Sequence, residues 1–130
     1  MKMLDPMTRP PVDQETLTFL RQLVNSGVFK LQYDAWAFGA ALALRDGISP
    51  QSPGSGKEQL PPLSTLPEET RFALEQAAQA KLGNKEVEDM VEFINSLAIG
   101  GLKNMQEMMK DWSVQERINW VIKGASEKCN

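Results

Sequence analysis

The 130 residues include no histidine and only one cysteine, and both scarcities exclude chemistry. Without histidine the chain lacks the commonest general base, the usual serine and cysteine triads and most zinc sites. Cys129 cannot form an intrachain disulfide, so a reducing compartment is expected. The first eleven residues, MKMLDPMTRPP, are broken by an aspartate and three prolines, unlike the apolar core of a signal peptide. We therefore predict a cytoplasmic protein.

Long apolar runs and basic clusters are also missing. The longest uncharged stretch of the apolar part, residues 35–44, has ten residues, about half of the roughly 20 that cross a bilayer as a helix. A net charge of −3 with scattered basic residues argues against a surface built to neutralise many phosphates. We expect no membrane contact, and contact with nucleic acid only weakly or through a partner.

No segment alternates apolar and polar residues as a strand does, whereas several repeat every three to four residues, as helices do. The sequence therefore predicts an all-α fold, a compact bundle of five to six helices around a central helix that is apolar on two sides. Residues 1–12 are predicted to form a flexible arm, 13–124 a single helical domain, and 125–130 a tail. A Pro/Gly-rich loop over 48–64 is either mobile or a contact loop.

The central helix is predicted over residues 32–45. At about 100° per residue its apolar side chains fall on two opposite sides, Tyr33, Trp36, Ala40 and Leu44 against Leu31, Ala35, Phe38 and Leu42. A helix of this kind is covered on both sides, either by its own domain or by a partner. Gly39 in its middle costs about 1 kcal/mol relative to alanine, but it would let a neighbouring backbone approach closely.

Capping residues delimit the first and third helices. Asp13 is predicted to accept a backbone hydrogen bond at the start of the first helix, and Gly27 to end this helix in the left-handed conformation. A capping box formed by Thr65 and Glu68 is predicted to open the third helix.

The C-terminal third is predicted to hold three further helices. The fourth runs over 85–98 and ends before Gly100 and Gly101, which separate it from a short fifth helix. The last begins at Ser113, with Glu116 completing a second capping box. Its predicted buried residues are Val114, Ile118, Val121 and Ile122, and Trp120 projects away from them.

One segment, PGSGKE at 53–58, invites comparison with a phosphate-binding loop. Such a loop needs a glycine where Gln51 stands and Ser or Thr after Lys57, where Glu58 stands. The acidic residues of the fourth helix lie opposite its apolar stripe, which favours a solvated face over a cation site. We predict no catalytic residue, no cofactor and no metal.

Residue types that are frequent in protein interfaces give the remaining signal. The predicted partner-binding residues are Trp36, Gly39, Met108, Trp112 and Trp120. The methionines around Met108 would make an adaptable apolar surface. The alternative is that Met105 and Met109 belong to the core and that Met108 is an incidental exposure.

Two segments, VFKLQYDAWAFGAALALRDG (28–47) and FINSLAIGGLKNM (93–105), carry a recognisable pattern. It consists of an aromatic-Asp start, a small-residue helix centre, a basic residue followed by glycine, and a later Gly-Gly-Leu break. Over about a quarter of its length, the chain thereby resembles small helical accessory proteins of bacterial anti-phage defence operons, notably those associated with DNA phosphorothioate modification. The proline-rich stretch 49–62 has no counterpart in this resemblance. The resemblance implies a non-catalytic subunit that scaffolds or regulates larger ATPases and nucleases.

The leading hypothesis is thus a non-enzymatic interaction module, either a small subunit or a homo-oligomeric accessory factor of a bacterial anti-phage defence complex. The alternative is a nucleic-acid-binding accessory factor that uses the basic arm, Lys2 and Arg9, and the Lys57 loop. A third hypothesis is an enzyme that uses Asp34 or the acidic helix with a metal.

Overall fold

The structure, a computed structural model, describes residues 6–54, 58–83 and 89–127. Most of these residues are helical, as the all-α prediction requires. The elements follow in chain order as strand β1 (Pro11–Val12), helices α1 (Gln14–Asn25) and α2 (Gln32–Asp46), strand β2 (Glu58–Gln59), a 3-10 helix (Leu63–Thr65), and helices α3 (Glu68–Leu82), α4 (Met90–Met109) and α5 (Val114–Glu127).

Both predicted ends of α1 are confirmed. The carboxylate of Asp13 accepts hydrogen bonds from the Thr16 N–H at 3.2 Å and from the Thr16 hydroxyl at 2.7 Å. At the other end Gly27 has φ +83°, and the next amide, that of Val28, donates to the Leu23 carbonyl at 2.9 Å. This bond satisfies a carbonyl that has no partner within the helix.

Helices α2 and α4 touch along their backbones, and glycines on both helices allow this. A Cβ on Gly101 would lie 1.9 Å from the carbonyl oxygen of Gly39, and a Cβ on Gly39 would lie 2.9 Å from Cγ of Leu102. The close backbone neighbour expected at Gly39 is therefore confirmed. The predicted break at Gly100 and Gly101 is wrong, since α4 continues through both as one helix. These glycines serve close packing, which outweighs their low helix propensity.

Helix α2 is the centre of the fold, as predicted, and it packs against α1, α3 and α4. Trp36 on one apolar side and Ala35 on the other are both fully buried, and Leu42 is 3% exposed. The hypothesis that a second chain covers one of the two sides is therefore wrong, because this chain covers both. Leu31, just before the helix, is the exception at 46% exposure.

The segment before α1 takes part in the fold. Strand β1 pairs antiparallel with β2, and the carbonyls of Thr8 and Pro10 accept hydrogen bonds from the amides of Leu63 and Leu60, each at 2.9 Å. Val12 is fully buried. The prediction of a flexible arm is thus wrong for residues 6–12, and the predicted loop over 48–64 contains β2 at 58–59 and the start of the 3-10 helix at 63–64. Two-residue strands leave no periodicity in the sequence from which their pairing could be predicted.

Hydrogen bonds from two side chains also stabilise the segments that contain β1 and β2. The Tyr33 hydroxyl of α2 donates to the Pro61 carbonyl, and burial raises the pKa of Tyr33 above its ordinary value. The Arg9 Nε–H donates to the Leu60 carbonyl at 3.0 Å. Arg9, one of the two basic residues assigned to the arm, therefore has a hydrogen-bond partner within the fold.

The starts of α3 and α4 differ from the prediction. Thr65 lies in the 3-10 helix, and α3 is preceded by Pro67, which offers no side-chain cap. The predicted capping box at Thr65 is therefore wrong. Helix α4 is capped by Asp89, whose carboxylate accepts from the Glu92 N–H at 3.2 Å. Residues 84–88, where the fourth helix was predicted to begin, lie outside the described residues.

We predict that Gly101→Ala destabilises the fold by about 3 kcal/mol, at the upper end of the range for overpacked cores. At an unobstructed helix position this change would instead stabilise by about 1 kcal/mol. Gly100→Ala provides the graded comparison, since its Cβ would meet the Ser49 carbonyl of a loop at 2.3 Å, and a loop shifts more easily than a helix. Urea unfolding measures both variants. A Gly101→Ala variant as stable as the wild type would contradict the close backbone approach.

We also predict an acid-sensitive contribution from Asp13. Burial raises the pKa of Asp13, but hydrogen bonds from Thr16 and from Lys103, the latter at 3.1 Å, lower it below the ordinary value of 3.8. Because its pKa is lower in the folded state, the Asp13 carboxylate stabilises the fold above pH 3.8. This contribution is lost as the pH falls through the pKa of the folded state. Asp13→Asn keeps the helix cap and removes the charge. The difference in Tm between wild type and variant should therefore shrink below this pH, and a constant difference would contradict the assignment.

Candidate functional site

The predicted partner-binding residues divide into two groups. Trp36 is fully buried, and its indole N–H donates to Asn95 Oδ1 at 2.9 Å. Gly39 lies under α4. Neither can reach a partner while the fold is intact, so their assignment to a binding site is wrong. Met108, Trp112 and Trp120 lie instead at the C-terminal end of the fold.

The orientation of α5 is set by aromatic contacts. The ring of Trp120 lies 5.7 Å from that of Phe38 in α2 and 6.3 Å from that of Trp112, in edge-to-face geometries. Phe29 extends the row, with its ring 5.5 Å from Phe38. Such pairs stabilise beyond the area they bury. Trp120 was predicted to project away from the apolar stripe of α5, and its ring lies against those of Phe38 and Trp112. We call Phe29, Phe38, Trp112 and Trp120 the aromatic row.

Because Trp120 turns inward, part of the apolar stripe of α5 turns outward. Val114 is 44% exposed and Ile122 is 61% exposed, although both were predicted to be buried. Ile118 lies between them and is partly buried. Residues four apart share one side of a helix, so Val114, Ile118 and Ile122 form a line over two turns, which we call the α5 face.

The start of α5 is fixed by local hydrogen bonds. The Ser113 amide donates to the Glu116 carboxylate at 3.0 Å, and the Glu116 amide donates to the Ser113 hydroxyl at 3.2 Å, which confirms the predicted capping box. Arg117 donates to the Met109 carbonyl at the end of α4 at 2.8 Å. Helix α5 is thus held by its cap, one arginine and the aromatic row.

Of the three methionines near this end, two belong to the core. Met105 and Met109 are fully buried, whereas Met108 is exposed. Met108 is therefore the one predicted partner-binding methionine that solvent reaches.

A second feature, an open cleft of about 780 Å³, lies at the start of α4. We call it the α4 cleft. It is lined by Thr8 and Pro11, by residues 50–54, and by Asp89, Val91, Glu92, Phe93, Asn95 and Ser96. Its volume is in the range of ligand pockets, about 300–1,000 Å³. The sequence reasoning missed this site.

The walls of the α4 cleft are held by hydrogen bonds and close packing. The Gln51 amide donates to the Ser96 carbonyl at 2.9 Å, and Gly100 leaves room for the Ser49 carbonyl, which would lie 2.3 Å from a Cβ. Asn95 is 2% exposed. It accepts from the Trp36 indole and donates to the Pro11 carbonyl at 2.6 Å, so it ties α4 to α2 and β1.

One sequence signal could have pointed to this cleft. Asn95 occupies the same side of α4 as Val91 and Ala98, and a polar residue within an apolar stripe needs hydrogen-bond partners when buried. Those partners come from distant segments, so the stripe alone does not identify them.

Metal chemistry has no described site. Over residues 6–54, 58–83 and 89–127 there is no group of three or more acidic or thiol side chains that could hold a metal ion. The carboxylate of Asp34 accepts from the Leu31 amide at 3.2 Å, at the start of α2. The structure does not describe Glu86 and Glu88 of the predicted acidic run, nor Lys57 of the loop.

None of the described helices is long and apolar enough to cross a membrane.

No protein-family model, curated protein or solved structure matches the chain.

We predict that Trp120→Ala releases α5 without unfolding the rest of the domain. Truncating a fully buried aromatic costs about 4 kcal/mol, and Trp120 is only partly buried, so about 2 kcal/mol is expected. Trypsin should then cleave at Arg117 and Lys123 faster than in the wild type, while α1 to α4 stay resistant. Phe72→Ala, which removes an exposed aromatic of α3, is the control. Unchanged cleavage in Trp120→Ala would show that the aromatic row does not hold α5.

Proposed function

We propose that this protein is a non-catalytic protein–protein interaction module, a small subunit or self-associating accessory factor. The observation that supports this most directly is the α5 face, an apolar line in which Val114 and Ile122 are exposed and Ile118 is partly buried. Amphipathic helices commonly bind partners by placing such a face in a groove. The lack of histidine in the sequence supports a role without acid–base catalysis.

Burial of the exposed part of the α5 face would contribute to the free energy of a contact with a partner. Full burial of an isoleucine or valine side chain contributes about 1.5–3 kcal/mol. Ile122 and Val114 are each about half exposed, so burying what remains open contributes roughly 2 kcal/mol for the pair. This corresponds to about a 30-fold change in affinity.

The biological setting that we propose is a bacterial anti-phage defence complex. Its support is the resemblance carried by residues 28–47 and 93–105, which lie largely in α2 and α4. These helices build the core, so the shared pattern concerns the scaffold. The partner surface would be found outside it, at the α5 face and Met108.

The alternative, a nucleic-acid-binding factor, has less support. Of its three basic residues, Lys2 and Lys57 lie outside the described residues, and Arg9 donates to the Leu60 carbonyl. DNA binding that weakens steeply as salt rises would favour this alternative.

We predict that the double variant Val114→Ser, Ile122→Ser loses partner binding or self-association by about 30-fold while its helical content stays unchanged. Both side chains are exposed, so the fold does not need them. Light scattering after size-exclusion chromatography measures self-association, and capture from an extract of the source organism measures partner binding.

Phe72→Ser is the matched control, because Phe72 is also an exposed apolar residue, on α3. A wild-type protein that is monomeric, recovers no protein partner and retains DNA at moderate salt would overturn the proposal. A double variant that associates like the wild type would remove the α5 face from it.

A further inference from the structure

The described lining of the α4 cleft combines an apolar wall with two carboxylates. Apolar surface is supplied by Pro50, Pro53, Val91 and Phe93. The prolines have no backbone N–H that would lose its hydration when a ligand binds. The charged lining residues are Asp89 and Glu92, and no lysine or arginine is among the described lining residues. Both carboxylates are exposed, and neither forms an ion pair within the described part of the chain.

Hydrogen bonds within the chain hold the walls of the cleft. The Gln51 amide donates to the Ser96 carbonyl, and Asn95 accepts from the Trp36 indole and donates to the Pro11 carbonyl. A binding surface whose walls are fixed by such contacts loses less free energy on association. Asp89 is doubly placed, because its carboxylate caps α4 and lines the cleft.

We propose that the α4 cleft binds an extended peptide segment of a protein partner, one that presents a lysine or arginine beside an apolar side chain. The two carboxylates select the cation, since complementary charges steer binding and exclude segments of like charge. The wall of proline, valine and phenylalanine accepts the apolar side chain. The choice of a peptide rests on the proposed function as an interaction module, whereas the preference for a cation rests on the cleft alone.

The experiment uses the full-length protein labelled with ¹⁵N and titrated with three acetylated hexapeptides. Their sequences are Gly-Lys-Leu-Lys-Leu-Gly, the same with glutamine for lysine, and the same with glutamate. The lysine peptide should shift the amide signals of Gln51, Ser52, Gly54 and residues 89–96 saturably, and it should bind at least tenfold more tightly than the glutamate peptide. Raising the salt concentration should weaken this binding.

Asp89→Asn with Glu92→Gln tests the carboxylates. Asparagine retains the helix cap, and Glu92 is exposed, so the double variant should fold. It should weaken the lysine peptide roughly threefold to tenfold, as expected for two exposed ion pairs. The matched control is Glu68→Gln with Glu69→Gln, which removes two first-turn carboxylates of α3 with the same change in net charge and should leave affinity unchanged.

Three results would overturn the proposal. They are the absence of saturable shifts in the cleft, equal binding of the lysine and glutamate peptides, and equal losses in the two double variants. Arginine amide is titrated separately, and binding as tight as that of the lysine peptide would make the ligand a small cation and not a peptide. Failure here is distinct from failure of the proposed function, since capture through the α5 face is measured with different variants and does not require the cleft.

Discussion

The contact between the backbones of α2 and α4 is the constraint on which the rest of the structure depends. Gly101 faces the carbonyl of Gly39 at a distance that leaves no room for a Cβ. Bringing the two helices this close lets Trp36 reach Asn95, and Asn95 in turn holds the Pro11 carbonyl. The pairing of β1 with β2 and the position of the α4 cleft therefore follow from the same contact.

The second glycine of the pair has a different task. Gly100 lies next to Gly101 but contacts the Ser49 carbonyl, in the loop that follows α2. Gly101 thus allows close packing of helix α2, and Gly100 allows close packing of this loop. The two positions lie about 100° apart around α4. A Gly-Gly pair that would weaken an isolated helix here serves two separate contacts.

Local signals in the sequence were sufficient for some of these elements. The ends of α1, the capping box of Ser113 and Glu116, and the central place of α2 depend on neighbouring residues or on helical period, and all three are confirmed. The errors concern contacts between distant segments. Gly100 and Gly101 have the local pattern of a break, but they pack against distant segments, Gly101 against α2 and Gly100 against the loop that follows it. The role of residues 6–12 depends on pairing with residues about 50 positions away.

The candidate sites show the same limit. Trp112 and Trp120 were identified by residue type, but the side toward which Trp120 turns is set by Phe38, more than 80 positions earlier. The predicted burial of the α5 stripe was wrong for Val114 and Ile122, which belong to the α5 face. The α4 cleft was missed altogether, because it is assembled from three segments and carries no motif.

Native-state hydrogen exchange tests the central claim most directly, since it reports which segments open only when the whole domain unfolds. The amides around Gly39 in α2 and around Gly101 in α4 are predicted to be the slowest in the protein, with a common free energy of opening. Those of α5 should exchange through a smaller opening. Fast exchange at the centre of α2 or α4, or protection of α5 equal to theirs, would contradict the account.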